Sequence, residues 1–361
     1  MIHVQVIDAH MHIKDENCEA IAQVADRSGA EKFNVLSLAM MENPLNNLSC
    51  LLVKAKNPGR AYAFCSLTYG EGSGECLAQL QMWMRAGFDG WKILETKPSV
   101  AKLLGVRMDD ERFEPAFAWA EENQIPIIWH VGDPATFWDP DRVPSWAVES
   151  GWAYTGGGFP ALEDLYAQTE TVLKRHPRLK ATFAHLYFTS DDEAHARRML
   201  DAYPNIRFDI TPGSEMYYAF CEDPARWRRF FLEYQERIVY GTDLESDAEA
   251  YERLYGMKME EGEAQIDWPA RWIQRWLTGT GEMDLMGTPV RGLGLTQSAA
   301  EKILGGNFLR FVGGEPKPLV RAAALEGAKW VETILQNPRY AAKQALAGEI
   351  LKKLEMRWIY S

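Results

Sequence analysis

Eight short runs of β-branched, aromatic and small apolar residues recur along the chain, with longer helical patterns between them. The runs span residues 4–8, 33–40, 61–67, 89–94, 125–131, 180–186, 206–211 and 237–243. They are apolar almost throughout, which is typical of strands that are buried on both faces of a parallel sheet. The alternation predicts an α/β protein whose sheet closes into a (β/α)8 TIM barrel, with an open doubly wound sheet as the alternative.

The length of 361 residues suits one barrel domain with additions. We predict a barrel over residues 1–313, with an insertion of little strand character after strand eight, at about residues 244–293. A helix is predicted at "TQSAAEKILGGNFLRF", ended by Gly305 and Gly306. A helical extension, residues 314–361, is predicted as two amphipathic helices broken near Asn337 and Pro338, which pack on the barrel or on a partner.

Charge and cysteine content narrow the classes of function. The net charge of −12 argues against a nucleic-acid or phospholipid surface, because both polyanions would be repelled. No apolar run approaches the roughly 18 residues of a membrane helix, and the amino terminus lacks a secretory pattern. The five cysteines form no CxxC pair, which indicates neither a disulfide framework nor a thiolate zinc site. We expect a cytoplasmic protein with a small-molecule substrate, which could also form homo-oligomers.

Two histidines stand at the end of the first run, in the segment "IDAHMHI" at residues 7–13. Because successive side chains of a strand point to opposite faces, His10 and His12 should leave it on one side and Met11 on the other. Two neutral imidazoles aimed at one point suit a divalent metal. The alternative is a pair of surface or structural histidines.

Further polar residues fall at the carboxyl ends of other predicted strands, where barrel enzymes carry their chemistry. These residues are Lys92, His130, His185 and Asp243. Each histidine alone would be read as a core residue. Four imidazoles and a carboxylate at one end of a barrel need a compensating charge, since unpaired polar burial costs roughly 2–7 kcal/mol per group. A metal ion would supply that charge.

The ordered set "DAHMH", "WHV", "AHL", "YGTD" and "AAEKILGGNFLRF" resembles the amidohydrolase superfamily. It is most similar to the branch that includes aminocarboxymuconate-semialdehyde decarboxylase, resorcylate decarboxylases and ring lactonases. The resemblance covers residues 4–311 and implies a metal-dependent barrel enzyme. It implies that His10, His12, His130 and Asp243 bind the metal. It also implies that His185 lies nearby as a catalytic or substrate-orienting residue.

Such a site predicts a hydrolase in which a metal-activated water attacks the carbonyl of an amide or lactone. Asp243 would then transfer the proton of the water to the leaving group, and His185 would orient or polarise the carbonyl. Non-oxidative decarboxylation of a small aromatic or unsaturated acid is the alternative reaction. A non-catalytic metal-binding or ligand-binding protein is a third reading. Zinc is the expected ion, with manganese as the alternative.

The expected number of metal ions depends on the role of Lys92. Binuclear members of the superfamily that this sequence resembles carry a carboxylated lysine on strand four, which bridges the two metals. We favour one ion, with Lys92 paired with Glu95 or with a substrate carboxylate. The long aromatic loop after strand five is predicted either to close over the site or to pack on itself. Candidate substrate contacts are Arg142, Trp138, Glu215, Tyr217 and Arg291.

Overall fold

The computed structural model describes residues 5–40, 42–213, 215–247 and 265–359, and nine parallel strands form its main sheet. Neighbouring strands follow the order β8-β7-β6-β5-β4-β3-β2-β1-β9. Their bounds are β1 Ile7–His12, β2 Lys32–Leu36, β3 Ala61–Cys65, β4 Gly90–Thr96, β5 Pro126–Val131, β6 Lys180–Phe183, β7 Ile206–Asp209, β8 Ile238–Val239 and β9 Leu244–Glu245. The predicted α/β barrel architecture is confirmed.

Two short pieces, β8 and β9, return the sheet to β1: β8 lies within the predicted eighth strand, residues 237–243, and β9 begins directly after it. Leu244 of β9 pairs with Met11 of β1. Between the two pieces, the Ala9 N–H donates to the Tyr240 carbonyl at 3.1 Å, and the Asp243 N–H donates to the His10 carbonyl at 2.8 Å. The chain that carries Asp243 is therefore held directly against the first strand.

Helices cover the outside of the sheet and follow most of the strands. Their bounds are α1 Ile21–Ser28, α2 Asn46–Lys56, α3 Cys76–Ala86, α4 Pro98–Leu104, α5 Glu114–Glu122, α6 Ser145–Glu149, α7 Leu162–Arg175, α8 Glu193–Ala202, α9 Met216–Glu222, α10 Pro224–Glu233, α11 Trp272–Thr278, α12 Gln297–Glu301 and α13 Asn307–Val312. No helix among the described residues is both long and apolar enough to cross a membrane.

Apolar side chains fill the barrel in two layers. A large cluster lies between the strands and the helices, and it includes Met11, Trp91, Trp129 and Phe208. A smaller cluster joins strand residues to the aromatic rings of α13, and it comprises Ile7, Ala9, Leu36, Tyr62, Phe64, Ile128, Val239, Phe308 and Phe311. The smaller cluster closes the amino-terminal end of the barrel, so the polar side chains at the strand ends lie at the opposite end.

The prediction that Gly305 and Gly306 end a helix is wrong. Both glycines lie in a π-helical turn, Lys302–Gly306, which runs directly into α13, and that helix ends at Gly313 with φ of 113°. A Cβ at Gly305 would lie only 2.6 Å from the Gln5 carbonyl oxygen. Gly305 therefore serves the close approach of this turn to the first strand, and it does not cap a helix.

The segment after strand eight carries more strand than its composition predicts. Its last part forms an antiparallel hairpin of β10 Glu282–Leu285 and β11 Thr288–Arg291, with Met286 and Gly287 as a two-residue turn. Both turn residues have positive φ, at 51° and 87°. The charged stretch "MEEGEA" at residues 259–264 lies outside the described residues.

The carboxyl-terminal tail packs on the barrel through two helices, α14 Arg321–Leu335 and α15 Ala341–Ile359. The break between them contains Asn337 and Pro338, as the sequence predicts. Helix α14 lies against α3, where the Trp330 ring is 5.9 Å from the Trp83 ring, and α15 lies against α2. A Cβ at Gly327 would lie 2.5 Å from the Trp83 ring, which shows how closely the tail is seated.

Candidate metal centre

The imidazoles of His10 and His12 meet at the carboxyl end of β1, with 3.2 Å between their Nε2 atoms. One extra residue between Asp8 and Met11 shifts the register of β1 against β2. Such a bulge redirects side chains at the rim of a barrel. His10 is fully buried and His12 is nearly so. The sequence alternation correctly anticipates that both rings point to one place.

Hydrogen-bond acceptors fix which nitrogen of each ring carries the proton. His10 Nδ1 lies 2.9 Å from the Asp209 carboxylate, and His12 Nδ1 lies 3.0 Å from the Leu36 carbonyl oxygen. A carbonyl or an ionised carboxylate can only accept, so both rings donate from Nδ1. Each Nε2 then offers a lone pair to the centre. Burial lowers the pKa of His10 to about 3, aided by the charge of Lys92, so the ring is neutral near pH 7.

Asp243 completes the group from the turn between β8 and β9. Its Oδ1 atom lies 3.2 Å from His12 Nε2 and 3.5 Å from His10 Nε2. Its φ of 61° is left-handed, and such strain is typical of functional positions. One ligand atom from each of these three residues lies within 4.8 Å of the others. Two imidazole lone pairs and a carboxylate oxygen that face one another repel, and a divalent cation between them removes the repulsion.

Lys92 of β4 is fully buried, and its Nζ lies 3.2 Å from His10 Nε2. Burial lowers the pKa of Lys92 to about 8, although nearby carboxylates oppose that shift. Glu95, the partner that the sequence suggested, instead accepts hydrogen bonds from the Tyr69 hydroxyl and the Leu94 N–H. The ammonium of Lys92 therefore faces the candidate metal site.

His130 and His185 lie side by side at the ends of β5 and β6, with ring centroids 5.0 Å apart. His130 Nε2 lies 2.8 Å from the Gly132 carbonyl oxygen, and His185 Nδ1 lies 3.1 Å from the Thr211 carbonyl oxygen. In the neutral form of each ring, the lone pair therefore lies on Nδ1 of His130 and on Nε2 of His185. Burial lowers the pKa of His130 to about 3.

The ring of His185 is 5.4 Å from that of His10, whereas His130 does not belong to the three-residue group described above. The assignment of His130 as a ligand stays a prediction. In the neutral form, His185 presents a lone pair and no N–H at Nε2, so it can accept a proton there. Polarising a carbonyl through that atom requires the doubly protonated ring.

A left-handed turn, residues 185–188, carries His185. Four consecutive residues there, His185 to Phe188, have φ between 51° and 58°. A left-handed conformation costs roughly 1–2 kcal/mol per non-glycine residue, so the surroundings must hold this turn. The Tyr166 hydroxyl donates to the Tyr187 carbonyl at 3.1 Å, and the Phe188 ring stacks on His185 with centroids 5.0 Å apart. No local sequence pattern predicts this turn.

Two fully buried carboxylates that sequence reasoning missed stand directly behind the histidines. Asp209, at the end of β7, contacts the His10 ring, and its carboxylate also accepts the His185 N–H at 2.8 Å. Burial alone would raise the pKa of Asp209, but the contacts with His10 and His185 hold it below the usual value. Asp8 accepts hydrogen bonds from the Thr242 side chain and backbone, and burial raises its pKa to about 7. The signal for Asp209 was its place at a strand end.

A third missed group surrounds His130. The Lys97 ammonium lies 2.6 Å and 2.7 Å from the two carboxylate oxygens of Asp133. The hydroxyl of Tyr154, in the long aromatic loop, donates to the same carboxylate, and His130 Nε2 lies 3.3 Å from it. Lys97 also stands 4.3 Å from the centre of the Trp152 ring. The loop is thereby tied to the ends of β4 and β5.

The predicted substrate contacts occupy varied places. Trp138 donates from Nε1 to the Pro160 carbonyl and packs on Tyr154, so it holds the loop to itself. Glu215 accepts a hydrogen bond from the Thr136 hydroxyl, which joins that loop to the start of α9. Their contact with substrate stays a prediction.

The remaining three candidates lie elsewhere. Tyr217 is buried among the rings of Trp268, Trp272 and Trp276, and its hydroxyl donates to the Ile210 carbonyl. Arg142 and Arg291 are exposed. In the described part of the chain, neither guanidinium is in contact with the histidines. Their contact with substrate also stays a prediction.

Comparisons with known proteins identify the family of this chain and solved structures with a similar fold. A family model described as amidohydrolase matches residues 7–314. An uncharacterized TIM-barrel protein from Bordetella bronchiseptica has a TM-score of 0.55 and 16% identity, over 86% of this chain and 99% of that chain. The 2,6-dihydroxybenzoate decarboxylase from Rhizobium has a TM-score of 0.53 and 14% identity, over the same shares of 86% and 99%.

At identities of 14–16%, these solved structures show similarity of fold alone. A search of curated proteins found no match to the chain. The family model, by contrast, spans most of the sequence and includes the segments that carry His10, His12, His130, His185 and Asp243. This chain belongs to the amidohydrolase family.

Proposed function

We propose that this protein is a metal-dependent hydrolase. A metal-activated water would attack the carbonyl of an amide or a lactone in a small molecule. His10, His12 and Asp243 are the first three ligands, His130 is the fourth, and zinc is the expected ion, with manganese as the alternative. The observation that carries the proposal is the convergence of two Nε2 lone pairs and a carboxylate oxygen, with each ring proton held elsewhere.

One ion fits the site better than two. Among the described residues, a single group of three ligand side chains meets the distances that a metal requires. Lys92 approaches His10, which is itself a member of that group, and within the described ranges of the chain no second group adjoins it. The charge of Lys92 is therefore better placed for a substrate anion than for a bridge between two ions.

In the proposed hydrolysis, different residues of the site have different roles. A divalent metal lowers the pKa of a bound water toward about 7 and so supplies a nucleophile near neutral pH. The Asp243 carboxylate, a third exposed, can take the proton of the attacking water and return it to the leaving group. His185 Nε2, which carries a lone pair, serves as a second proton acceptor, and Phe188 covers the ring of His185.

Decarboxylation of a small aromatic or unsaturated acid is the second candidate, and Lys92 is the observation that favours it. A buried ammonium beside the metal ligands can bind the carboxylate of such a substrate. In that reaction Asp243 would deliver a proton to the substrate carbon from which CO₂ leaves. A non-catalytic metal-binding or ligand-binding protein is the third hypothesis. We further propose that the substrate is a small molecule, that the protein is cytoplasmic and that it can form homo-oligomers.

Metal content tests the site directly. Wild type, a His10→Ala/His12→Ala double variant and a His195→Gln control are purified without chelator, reconstituted with zinc or manganese, and measured by elemental analysis. About one ion is expected in wild type and in the control, because His195 lies on α8 and outside the ligand group, and none in the double variant. Metal retained by a folded double variant, or absent from reconstituted wild type, refutes the proposed centre.

The reaction is separated from the site by product analysis. A panel of lactones, amides and unsaturated or aromatic acids is incubated with wild type and with Asp243→Asn, and both hydrolysis products and released CO₂ are measured. Hydrolysis products that disappear in the variant support the hydrolase. CO₂ that disappears in the variant selects the decarboxylase. Equal turnover by the two proteins contradicts the role of Asp243 in either reaction.

A further inference from the structure

We propose that Asp209 is a positioning residue that sets the proton of His10 on Nδ1 and couples His10 to the left-handed turn carrying His185. The inference deepens the proposed metal site and rests on it for its functional meaning. Its geometry is independent of that proposal, because it concerns hydrogen bonds among the protein's own atoms.

The Asp209 carboxylate divides its two oxygens between the two histidines. Oδ2 lies 2.9 Å from His10 Nδ1, whereas Oδ1 accepts the backbone N–H of His185 at 2.8 Å and that of Thr211 at 3.1 Å. Asp209 is fully buried. Two backbone donors thus hold one oxygen in place and aim the other at the ring. A buried carboxylate that accepts from backbone donors is firmly oriented.

Only an acceptor at Oδ2 keeps His10 ready to bind a cation. An amide in the same place would present an N–H to His10 Nδ1, and the ring would respond by moving its proton to Nε2. The lone pair that faces His12 and Asp243 would then be lost. Carboxylates that orient a ligating histidine in this way are a common feature of metal sites, and their loss typically weakens metal affinity about 10–100-fold.

The second contact of Asp209 concerns the strained turn. The His185 N–H is the first donor of a run of four left-handed residues, and Asp209 accepts it. At the far end, the Thr189 N–H and hydroxyl both donate to the Leu186 carbonyl, at 3.1 Å and 2.6 Å. One carboxylate on β7 therefore fixes an imidazole of β1 and the backbone that presents an imidazole after β6.

The chain offers a matched control in Asp8. This second carboxylate is also fully buried, and it accepts the backbone N–H of His10 at 3.1 Å and the Thr242 hydroxyl at 2.5 Å. In the described structure it contacts no histidine ring nitrogen. Asp8→Asn therefore changes a buried charge beside His10 without replacing the acceptor of the ring proton.

The experiment reads the ring protons directly in metal-free protein. Histidine labelled with ¹⁵N is introduced, and long-range ¹H–¹⁵N correlation spectra are recorded for wild type, Asp209→Asn and Asp8→Asn. The chain has seven histidines, and His10→Gln assigns the signal of His10. We expect the Nδ1–H form of His10 in wild type and in Asp8→Asn, and the Nε2–H form in Asp209→Asn. Zinc affinity should fall about 10–100-fold in Asp209→Asn relative to wild type.

The outcomes separate this inference from the proposed function. An unchanged His10 proton in folded Asp209→Asn overturns the positioning role, even when wild type binds metal. The expected tautomer change in a protein that binds no metal supports the positioning role and refutes the metal site. Should Asp209→Asn fail to fold, the wild-type spectrum decides, because an Nε2–H form of His10 there is incompatible with the role assigned to Asp209.

Discussion

Among the single residues of the site, each histidine is oriented by an oxygen acceptor, which for His10, His12 and His185 comes from a distant part of the chain. Leu36 and Thr211 contribute backbone carbonyls, Gly132 contributes a third, and Asp209 contributes a carboxylate. The acceptors determine which nitrogen of each ring is free. Burial lowers the pKa of His10 and of His130 to about 3, so these two rings are neutral near pH 7 and can act as ligands.

The role of Lys92 can be tested by its replacement with Met, which keeps a long side chain and removes the charge. We expect about one metal ion per chain in wild type and in Lys92→Met. Lys92 contacts His10, a member of the ligand group, and is not itself one of the three ligands in that group. Elemental analysis of both proteins, reconstituted in parallel, measures this. Two ions in wild type that fall to one in the variant would establish a bridging lysine and a binuclear site.

Glu95 predicts a measurable pH dependence of stability. Burial raises the pKa of Glu95 above its usual value of 4.5, in spite of hydrogen bonds from Tyr69 and the backbone. A carboxyl whose folded pKa is raised stabilises the fold fully at low pH, and this contribution is lost as the pH rises through the folded pKa. Relative to wild type, Glu95→Gln should therefore gain stability as the pH rises above 4.5, by up to about 1.4 kcal/mol per pH unit while only one state titrates.

Urea unfolding of wild type and Glu95→Gln between pH 4 and pH 8 measures the difference. The exposed Glu111 provides the control, since Glu111→Gln removes a carboxylate that is not buried. A difference for Glu95→Gln that shrinks with rising pH would contradict the raised pKa.

Among the elements of the fold, the strand ends and the turns that follow them carry both the chemistry and the strain. Asp243 and the turn of His185 adopt left-handed backbone conformations within the site. Partners such as the His10 carbonyl and Tyr166 hold them there. The hairpin after strand eight differs, because Met286 takes a left-handed conformation on an exposed two-residue turn.

Met286→Asn should therefore stabilise the protein. Two-residue hairpin turns with positive φ at both positions favour Asn-Gly, and this turn already has Gly287 in second place. We expect a gain of about 1 kcal/mol in the free energy of unfolding, because Asn tolerates the left-handed region better than Met. Chemical unfolding measures the gain. Met286→Ala, which keeps a Cβ and the same φ, is the control and should give no gain; an equal gain there would assign the effect to the loss of Met.

Across the whole molecule, the tail makes the barrel and its extension one packed body. Helices α14 and α15 lie against α3 and α2, and the segment between α13 and α14 runs along the amino-terminal end of the barrel. There the Tyr62 hydroxyl donates to the Gly313 carbonyl, and the Lys317 N–H donates to Asp89. These contacts lie at the amino-terminal end of the barrel. Helix α15 also reaches the other end, where the Lys343 ammonium donates to the Asn43 side chain and lies 3.8 Å from Asp15, in the segments that follow β2 and β1.

Two glycines of the tail should respond in opposite ways to the same substitution. Gly327→Ala places a Cβ 2.5 Å from the fully buried Trp83 ring, and such overpacking typically costs 1–3 kcal/mol. Gly348, in the middle of α15, has no atom within 4 Å of an added Cβ, so Gly348→Ala should gain about 0.5–1 kcal/mol. Thermal unfolding of both variants tests the seating of the tail. A neutral or stabilising Gly327→Ala would show that α14 is not packed on α3.

Local patterns in the amino-acid sequence were sufficient to establish the architecture and the strand-end residues. Strand and helix periodicities are local properties, and side chains of a strand alternate in direction, so the sequence alone assigns His10, His12 and Asp243 to the open end of a barrel. Local patterns also located the break in the tail near Pro338. They misjudged Gly305, whose conformational freedom serves an approach to Gln5 that the local sequence does not contain.

The orientation of the site, by contrast, depends on tertiary contacts. His10 and Asp209 are 199 residues apart in sequence, and their contact depends on the register of β1 and β7, which are separated in the barrel by β8 and β9. The ties between Lys97, Asp133 and Tyr154 depend equally on how a long loop folds back. Hydrogen bonds between distant segments follow from chain packing and leave no periodic signal, which is why the ring protons, the buried carboxylates and the left-handed turn emerge only in three dimensions.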